Sequence, residues 1–192
     1  AGIGGRVGLK GSDGAAVVEQ ALSLGAVPES AGRTAEALNR LKPLAREMEL
    51  LTWSGAMGEE AAAAAGFRPQ IAGSIMQKIS TPQDTRIASR RLADLGVDLL
   101  LFAGGDGTAR DVCSAVGDRL PVVGIPAGVK IHSAVYATCP ANAGLLALKF
   151  LSGKGPPHLR DAEVMDIDEN AFRSNRLSAK LYGYLKIPYD RH

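Results

Sequence analysis

Cysteine, aromatic residues and net charge are all scarce in this chain of 192 residues, and each shortage closes off a class of function. Its two cysteines, Cys113 and Cys139, make a poor disulfide framework and have no metal-ligand spacing. A reducing cytoplasm is therefore the expected compartment. Aromatics are 5% of the chain and the net charge is only +2, with no basic block interleaved with aromatics, so neither nucleic acid nor a membrane surface is an expected partner. No apolar run approaches the roughly 18 residues that span a bilayer, and the N-terminus lacks the charged start and apolar centre of a signal peptide. What is present, 46% apolar and 22% charged residues, is the composition of a soluble globular protein. The length suits one sizeable domain, or one domain and part of another.

Periodicity divides the chain into alternating strands and helices. AAVVEQALSL predicts a helix over about 15–24, capped by Asp13, with Val18, Ala21 and Leu22 on one face. Thr34 is expected to open a second helix carrying Ala37, Leu38 and Leu41, which Pro43 kinks or interrupts. MELLTW, residues 48–53, has strand length, and GEEAAAAAGF reads as a helix closed by Gly66. Thr81, Pro82 and Asp84 form a helix start, as N-cap, first helical residue and first-turn acid, and Gly96 ends that helix. VDLLLFAGG and PVVGIPAG are continuous apolar runs, as strands buried on both faces require. TARDVCSAVG between them reads as a helix with Thr108 as cap and Asp111 three residues on. CPANAGLLALKFL is a further helix. The fold class is therefore α/β, Rossmann-like, with a mainly parallel sheet.

Around SGKGPPHL, residues 152–159, glycines and prolines mark a linker or domain edge. AEVMDID and RLSAKLYGYLKIP beyond it have the half-alternating pattern of antiparallel strands. The expected division is an α/β nucleotide- or phosphate-binding domain over 1–155 and the start of an all-β, sandwich-like domain over 156–192. The opening AGIGGRVGLKGSDG is a glycine-rich loop with no strand before it. Residues preceding Ala1, and more β structure after the C-terminus, are thus expected in a longer chain.

The chemistry is expected where LLFAGGDGTARDV passes from strand to helix. In open parallel sheets ligands bind beyond the carboxyl ends of the strands, where helix N-termini expose N–H groups and a positive dipole end. Gly104, Gly105 and Gly107 fit an anion cradle there, because glycine lets backbone approach a phosphate unobstructed. No Lys-Ser or Lys-Thr pair follows, so this is not a P-loop, and the GxGxxG spacing fails as well. Asp106 is the informative residue. A carboxylate among phosphate-binding glycines repels phosphate, so its presence points to an added chemical role, either accepting a proton from an attacking hydroxyl or positioning Mg²⁺. Asp-Gly is also simply a favoured turn pair.

GIPAGVKIHS ends the next buried strand and should bring Gly128, Lys130, His132 and Ser133 to the same rim. Lys130 is expected to neutralise a phosphate, and Ser133 to donate to an oxygen or cap the next helix; His132 is read as structural. Gly4, Gly5, Arg6, Lys10 and Asp13 of the opening loop form either a second wall or a terminal loop. Asp166 and Asp168 share a strand face that reads as solvated rather than as a metal site, and no metal-ligating residue is assigned. Both cysteines read as structural.

GGDGT after a buried strand resembles the signature of the NAD kinase and diacylglycerol/sphingosine kinase superfamily. The wider pattern GLKGSDG, FAGGDGTARDV, GIPAGVKIHSAVYA and EVMDIDENAFR is similar to the predicted ATP-NAD kinases related to the acetoin-catabolism protein X, over nearly the whole chain. The resemblance implies an N-terminal α/β domain, a C-terminal β-sandwich and an active site in the crevice between them. It also implies Asp106 as the base that activates the acceptor hydroxyl, the 2′-hydroxyl of the adenosine ribose for NAD, with Gly104, Gly105, Gly107 and Thr108 cradling phosphates. ATP or polyphosphate with Mg²⁺ would be the donor. Dinucleotide-specific members carry a later Asn-Glu pair, absent here, which leaves open another acceptor such as a lipid or polyol, or a non-catalytic nucleotide-binding protein. The expected partners are small-molecule nucleotides, and the chain is expected to form a homo-oligomer.

Overall fold

A computed structural model describes Val7 and residues 15–76, 80–128, 131–153, 158–167 and 179–189. Its elements run α1 (Ala15–Ser23), α2 (Ser30–Asn39), β1 (Leu51–Trp53), α3 (Glu59–Ala64), β2 (Gln70–Gly73), α4 (Pro82–Asp94), β3 (Leu100–Gly104), α5 (Asp106–Val116), β4 (Val122–Pro126), α6 (Pro140–Leu151), β5 (Leu159–Ile167) and β6 (Ala179–Pro188). Among the described residues the strands pair two by two. β1 with β2 and β3 with β4 are parallel, and β5 with β6 is antiparallel. This is the expected α/β class, and the late antiparallel hairpin fits the start of a second, all-β domain.

The centre is the β3–β4 pair, in register from Leu100 opposite Val122 to Gly104 opposite Pro126. Successive side chains of a strand point to opposite faces, and here both faces are covered. Leu100, Phe102 and Val122 pack with Val112 and Val116 of α5, whereas Val123 and Ile125 pack with Ala37 of α2 and Ala143 of α6. That double burial is why these strands read as unbroken apolar runs. Helices α2 and α6 approach so closely that a Cβ on Gly144 would collide with the Ala37 carbonyl oxygen. On the opposite side, Ala162 and Val164 of β5 and Leu185 and Ile187 of β6 join the same core cluster as α5.

Several elements differ from their expected form. α2 begins at Ser30 rather than Thr34; the Thr34 hydroxyl donates to the Ser30 carbonyl inside the helix, 2.7 Å away, instead of capping it. Its predicted core residues Ala37, Leu38 and Leu41 are buried, and Pro43 lies in a 3-10 turn over Lys42–Leu44. In α1, Ala21 is buried but Leu22 is exposed. α5 is capped by Gly105, not Thr108, and Asp106 is its first residue. An acid in the first turn favours the helix dipole, and the Thr108 N–H donates to the Gly105 carbonyl at 2.9 Å, which places Thr108 within the helix. β2 has no expected counterpart, since its residues are exposed or half-buried and carry no apolar pattern. Asp13 and the 154–157 part of the expected linker lie outside the described residues.

Candidate active site

Strands β3 and β4 end side by side, and the turns that follow them interlock. The Gly104 carbonyl accepts from the N–H groups of Ala127 and Gly128, both at 2.9 Å. The fit leaves no room for side chains: a Cβ on Gly128 would sit 2.8 Å from the Gly105 Cα, and one on Gly104 would strike the Thr108 hydroxyl. Gly104 and Gly128 are thus needed for the packing of the two turns, whether or not they also meet a phosphate, whereas a Cβ on Gly105 would make only an ordinary contact with the Gly128 Cα at 3.5 Å. Gly107 is the second residue of α5, and its N–H and that of Asp106 precede the first intrahelical bond, as at every helix start.

Beyond the second turn, residues 134–137 lie parallel to β4. Gly124 forms a parallel bridge with Tyr136, donating to the Val135 carbonyl at 3.0 Å and accepting from Ala137 at 3.0 Å. The Ala134 N–H donates to the Glu163 carbonyl of β5 at 2.9 Å, so this segment joins the parallel pair to the hairpin. Tyr136 reaches back to α5, its hydroxyl donating to the Gly105 carbonyl at 2.6 Å and its ring lying edge-on to Phe102. Burial first, and then the negative charge of Asp106, push the Tyr136 phenol well above its ordinary value, so it stays a donor.

Asp106 sits at the centre of this junction with both oxygens engaged. Oδ1 accepts from the Ser133 N–H at 2.9 Å and from the Ser133 hydroxyl at 2.7 Å. Oδ2 accepts from the His132 N–H at 2.8 Å and lies 3.1 Å from His132 Nδ1. The Asp106 side chain is only 8% exposed, while that of His132 is 35% exposed. The buried Ser133 hydroxyl also lies 3.0 Å from the Met165 N–H, which donates to it, and 2.8 Å from the Met165 carbonyl. A hydroxyl has one proton to give, and an ionised carboxylate is the stronger acceptor, so it goes to Asp106.

The structure thus brings Asp106, Gly104, Gly105, Gly107, Thr108, Gly128 and Ser133 to one end of the β3–β4 pair. Lys130, Asp168 and the opening-loop residues Gly4, Gly5, Arg6, Lys10 and Asp13 lie outside the described residues. Asp166 is not a free carboxylate on a solvated face: it pairs with Arg110 of α5 at 2.9 Å. Asp111, a capping partner by its sequence spacing, is instead buried in an ion pair with Arg86 of α4. Three contributors lack a usable sequence signal. Tyr136, Arg110 and Met165 enter through tertiary contacts, and nothing in their local spacing announces them. His132 lies in the expected motif, and its backbone N–H and ring Nδ1 both face the Asp106 carboxylate. Burial pushes the Cys113 thiol up, and its Sγ lies 3.6 Å from the Tyr184 carbonyl, as suits a structural residue.

Among the described residues no group of three or more His, Cys, Asp or Glu side chains is disposed to hold a metal ion, and no helix is long and apolar enough to cross a membrane. A recess of about 380 Å³ lined by Val123, Thr138, Leu146, Arg160, Ile187 and Tyr189 also touches Tyr136, but neither Asp106 nor His132 lines it. Residues 27–154 match the family model described as the ATP-NAD kinase N-terminal domain, a span that includes Asp106, His132, Ser133 and Tyr136 but not Glu163 and Met165 of β5. No curated protein and no solved structure matches the chain.

Proposed function

The chain belongs to the ATP-NAD kinase family, which makes it a kinase-type phosphotransferase, and from that premise we propose that it moves a phosphoryl group from ATP or polyphosphate to the 2′-hydroxyl of the adenosine ribose of NAD. The observation that carries the reading is the Asp106 carboxylate, held by His132 and Ser133 where α5 starts and β3 ends. A fixed negative charge at that place is what removal of a hydroxyl proton requires, and the carboxyl end of a parallel strand pair is where α/β folds bind nucleotides.

Phosphoryl transfer asks a protein for positioning and charge neutralisation more than for covalent chemistry. In this reading the N–H groups at the start of α5 and the side chain of Lys130 meet phosphate oxygens. Asp106 orients the acceptor hydroxyl or drives its deprotonation. Both oxygens of Asp106 already have protein partners, so a Mg²⁺ ion would be held chiefly by the phosphates of the donor with which it travels. When bound, the ion would neutralise charge on the transferred group.

An assay of the full-length protein with ATP and with polyphosphate, across NAD, NADH, diacylglycerol, sphingosine and a small polyol, tests the reading. NADP formation from NAD is expected. Transfer to a lipid or polyol instead would move the acceptor assignment, and nucleotide binding by calorimetry without donor consumption would replace the enzyme by a regulatory nucleotide-binding protein.

A further inference from the structure

The hydrogen bonds around Asp106 raise a difficulty for direct proton transfer to it. An ionised carboxylate has about four acceptor positions, and protein groups fill four here: two backbone N–H groups, the Ser133 hydroxyl and the His132 ring. With its side chain 8% exposed, Asp106 would have to give up a partner before an acceptor hydroxyl came within the roughly 2.6–3.2 Å that general-base catalysis needs. His132 is placed differently. Its Nδ1 faces the carboxylate, its side chain is 35% exposed, and Nε2 on the far edge of the ring has no hydrogen-bond partner among the described residues. A carboxylate against Nδ1 holds the ring proton there and leaves Nε2 as a lone-pair acceptor.

We infer that the acceptor-hydroxyl proton passes to Nε2 of His132, with Asp106 as the positioning residue that fixes the ring and its tautomer. The inference rests on the phosphoryl-transfer reading above and refines it. In the step, the hydroxyl oxygen forms a bond to the γ-phosphorus of ATP as the bond from that phosphorus to the β–γ bridging oxygen breaks. The O–H electron pair stays with the attacking oxygen, and its proton lodges on Nε2. The imidazolium so formed is stabilised by Asp106, as in a carboxylate–histidine pair, and later returns the proton to solvent. Ser133 has a positioning part as well. Its N–H and hydroxyl hold Oδ1 and tie the junction to Met165 of β5, which keeps Oδ2 turned toward His132.

His132→Gly in the full-length protein, assayed with ATP and the best acceptor from the panel above, tests this. The expected result is a fall in kcat of about 10²–10⁴-fold, ATP affinity by calorimetry and thermal midpoint unchanged, and partial recovery of kcat on adding free imidazole. Wild-type turnover with kcat retained in His132→Gly would overturn the inference and leave the phosphotransfer reading standing. A wild type that consumes no donor with any acceptor would remove that reading and the inference with it. A readout independent of activity is the ¹⁵N spectrum of the neutral His132 ring. The proton is expected on Nδ1 in the wild type and redistributed in Asp106→Asn, whereas a proton on Nε2 in the wild type would overturn the inference.

Discussion

Tyr136 shows how a single half-buried residue supports the site without taking part in its chemistry. Its hydroxyl donates to Gly105, the residue that caps α5 and precedes Asp106, at 2.6 Å. Burial raises its ionisation well above the ordinary value, and Asp106 adds to the effect. The unfolded chain begins to release this proton near about pH 10, while the folded protein keeps it. The contribution is therefore whole below that pH and is lost as pH rises toward the folded value. Tyr136→Phe is expected to be less stable than the wild type at neutral pH by about 1 kcal/mol, for the lost hydrogen bond. It should also lose stability less steeply above pH 10. Urea unfolding at a series of pH values checks both; parallel curves for the two proteins would refute the assignment.

Among the elements, α4 is fully legible in the sequence. Thr81 caps it, Pro82 is its first residue, and Asp84 closes a capping box by accepting from the Thr81 N–H at 2.8 Å. Every part of that signal lies within four residues. The hydrogen bonds from the Thr81 side chain, then its backbone, hold the Asp84 carboxyl below its ordinary value, so the cap's contribution is present above the usual carboxylate range and lost as pH falls through the lower folded value. Thr81→Ala is expected to cost about 0.5–2 kcal/mol, measured by denaturant unfolding at neutral pH, and markedly less at acid pH. The start of α5 is hidden in the sequence because Thr108 and Asp111 mimic a capping pair, while the actual cap, Gly105, has no side chain with which to announce itself. The place of His132 is hidden for a related reason: its partner lies 26 residues away, and no local pattern encodes that meeting. β2 escapes detection because its exposed and half-buried residues carry no alternation to read.

At the scale of the whole molecule, the site depends on the hairpin as well as on the α/β core. Met165 of β5 contacts Ser133, Asp166 pairs with Arg110 of α5, and Arg110 also lies over the Tyr182 ring of β6, 5.4 Å from its centre. Leu185, 1% exposed, belongs to the cluster that contains Val112 and Val116. The change of pattern near residue 155 is visible in the sequence; the sharing of one core across it is not, because burial of Ala162, Val164, Leu185 and Ile187 against α5 is a long-range outcome. Leu185→Ala is expected to destabilise the protein by about 2–5 kcal/mol in a single unfolding transition reported alike by Trp53 fluorescence and by circular dichroism. Separate transitions would mean that the hairpin and the α/β core unfold independently. The central claim is that the carboxylate of Asp106 governs transfer of a phosphoryl group to an alcohol, and single-turnover kinetics of Asp106→Asn with ATP and acceptor test it most directly. The predicted result is a transfer step slowed by about 10²–10⁴-fold with calorimetric ATP affinity retained, and a variant that transfers phosphate as fast as the wild type would contradict the claim.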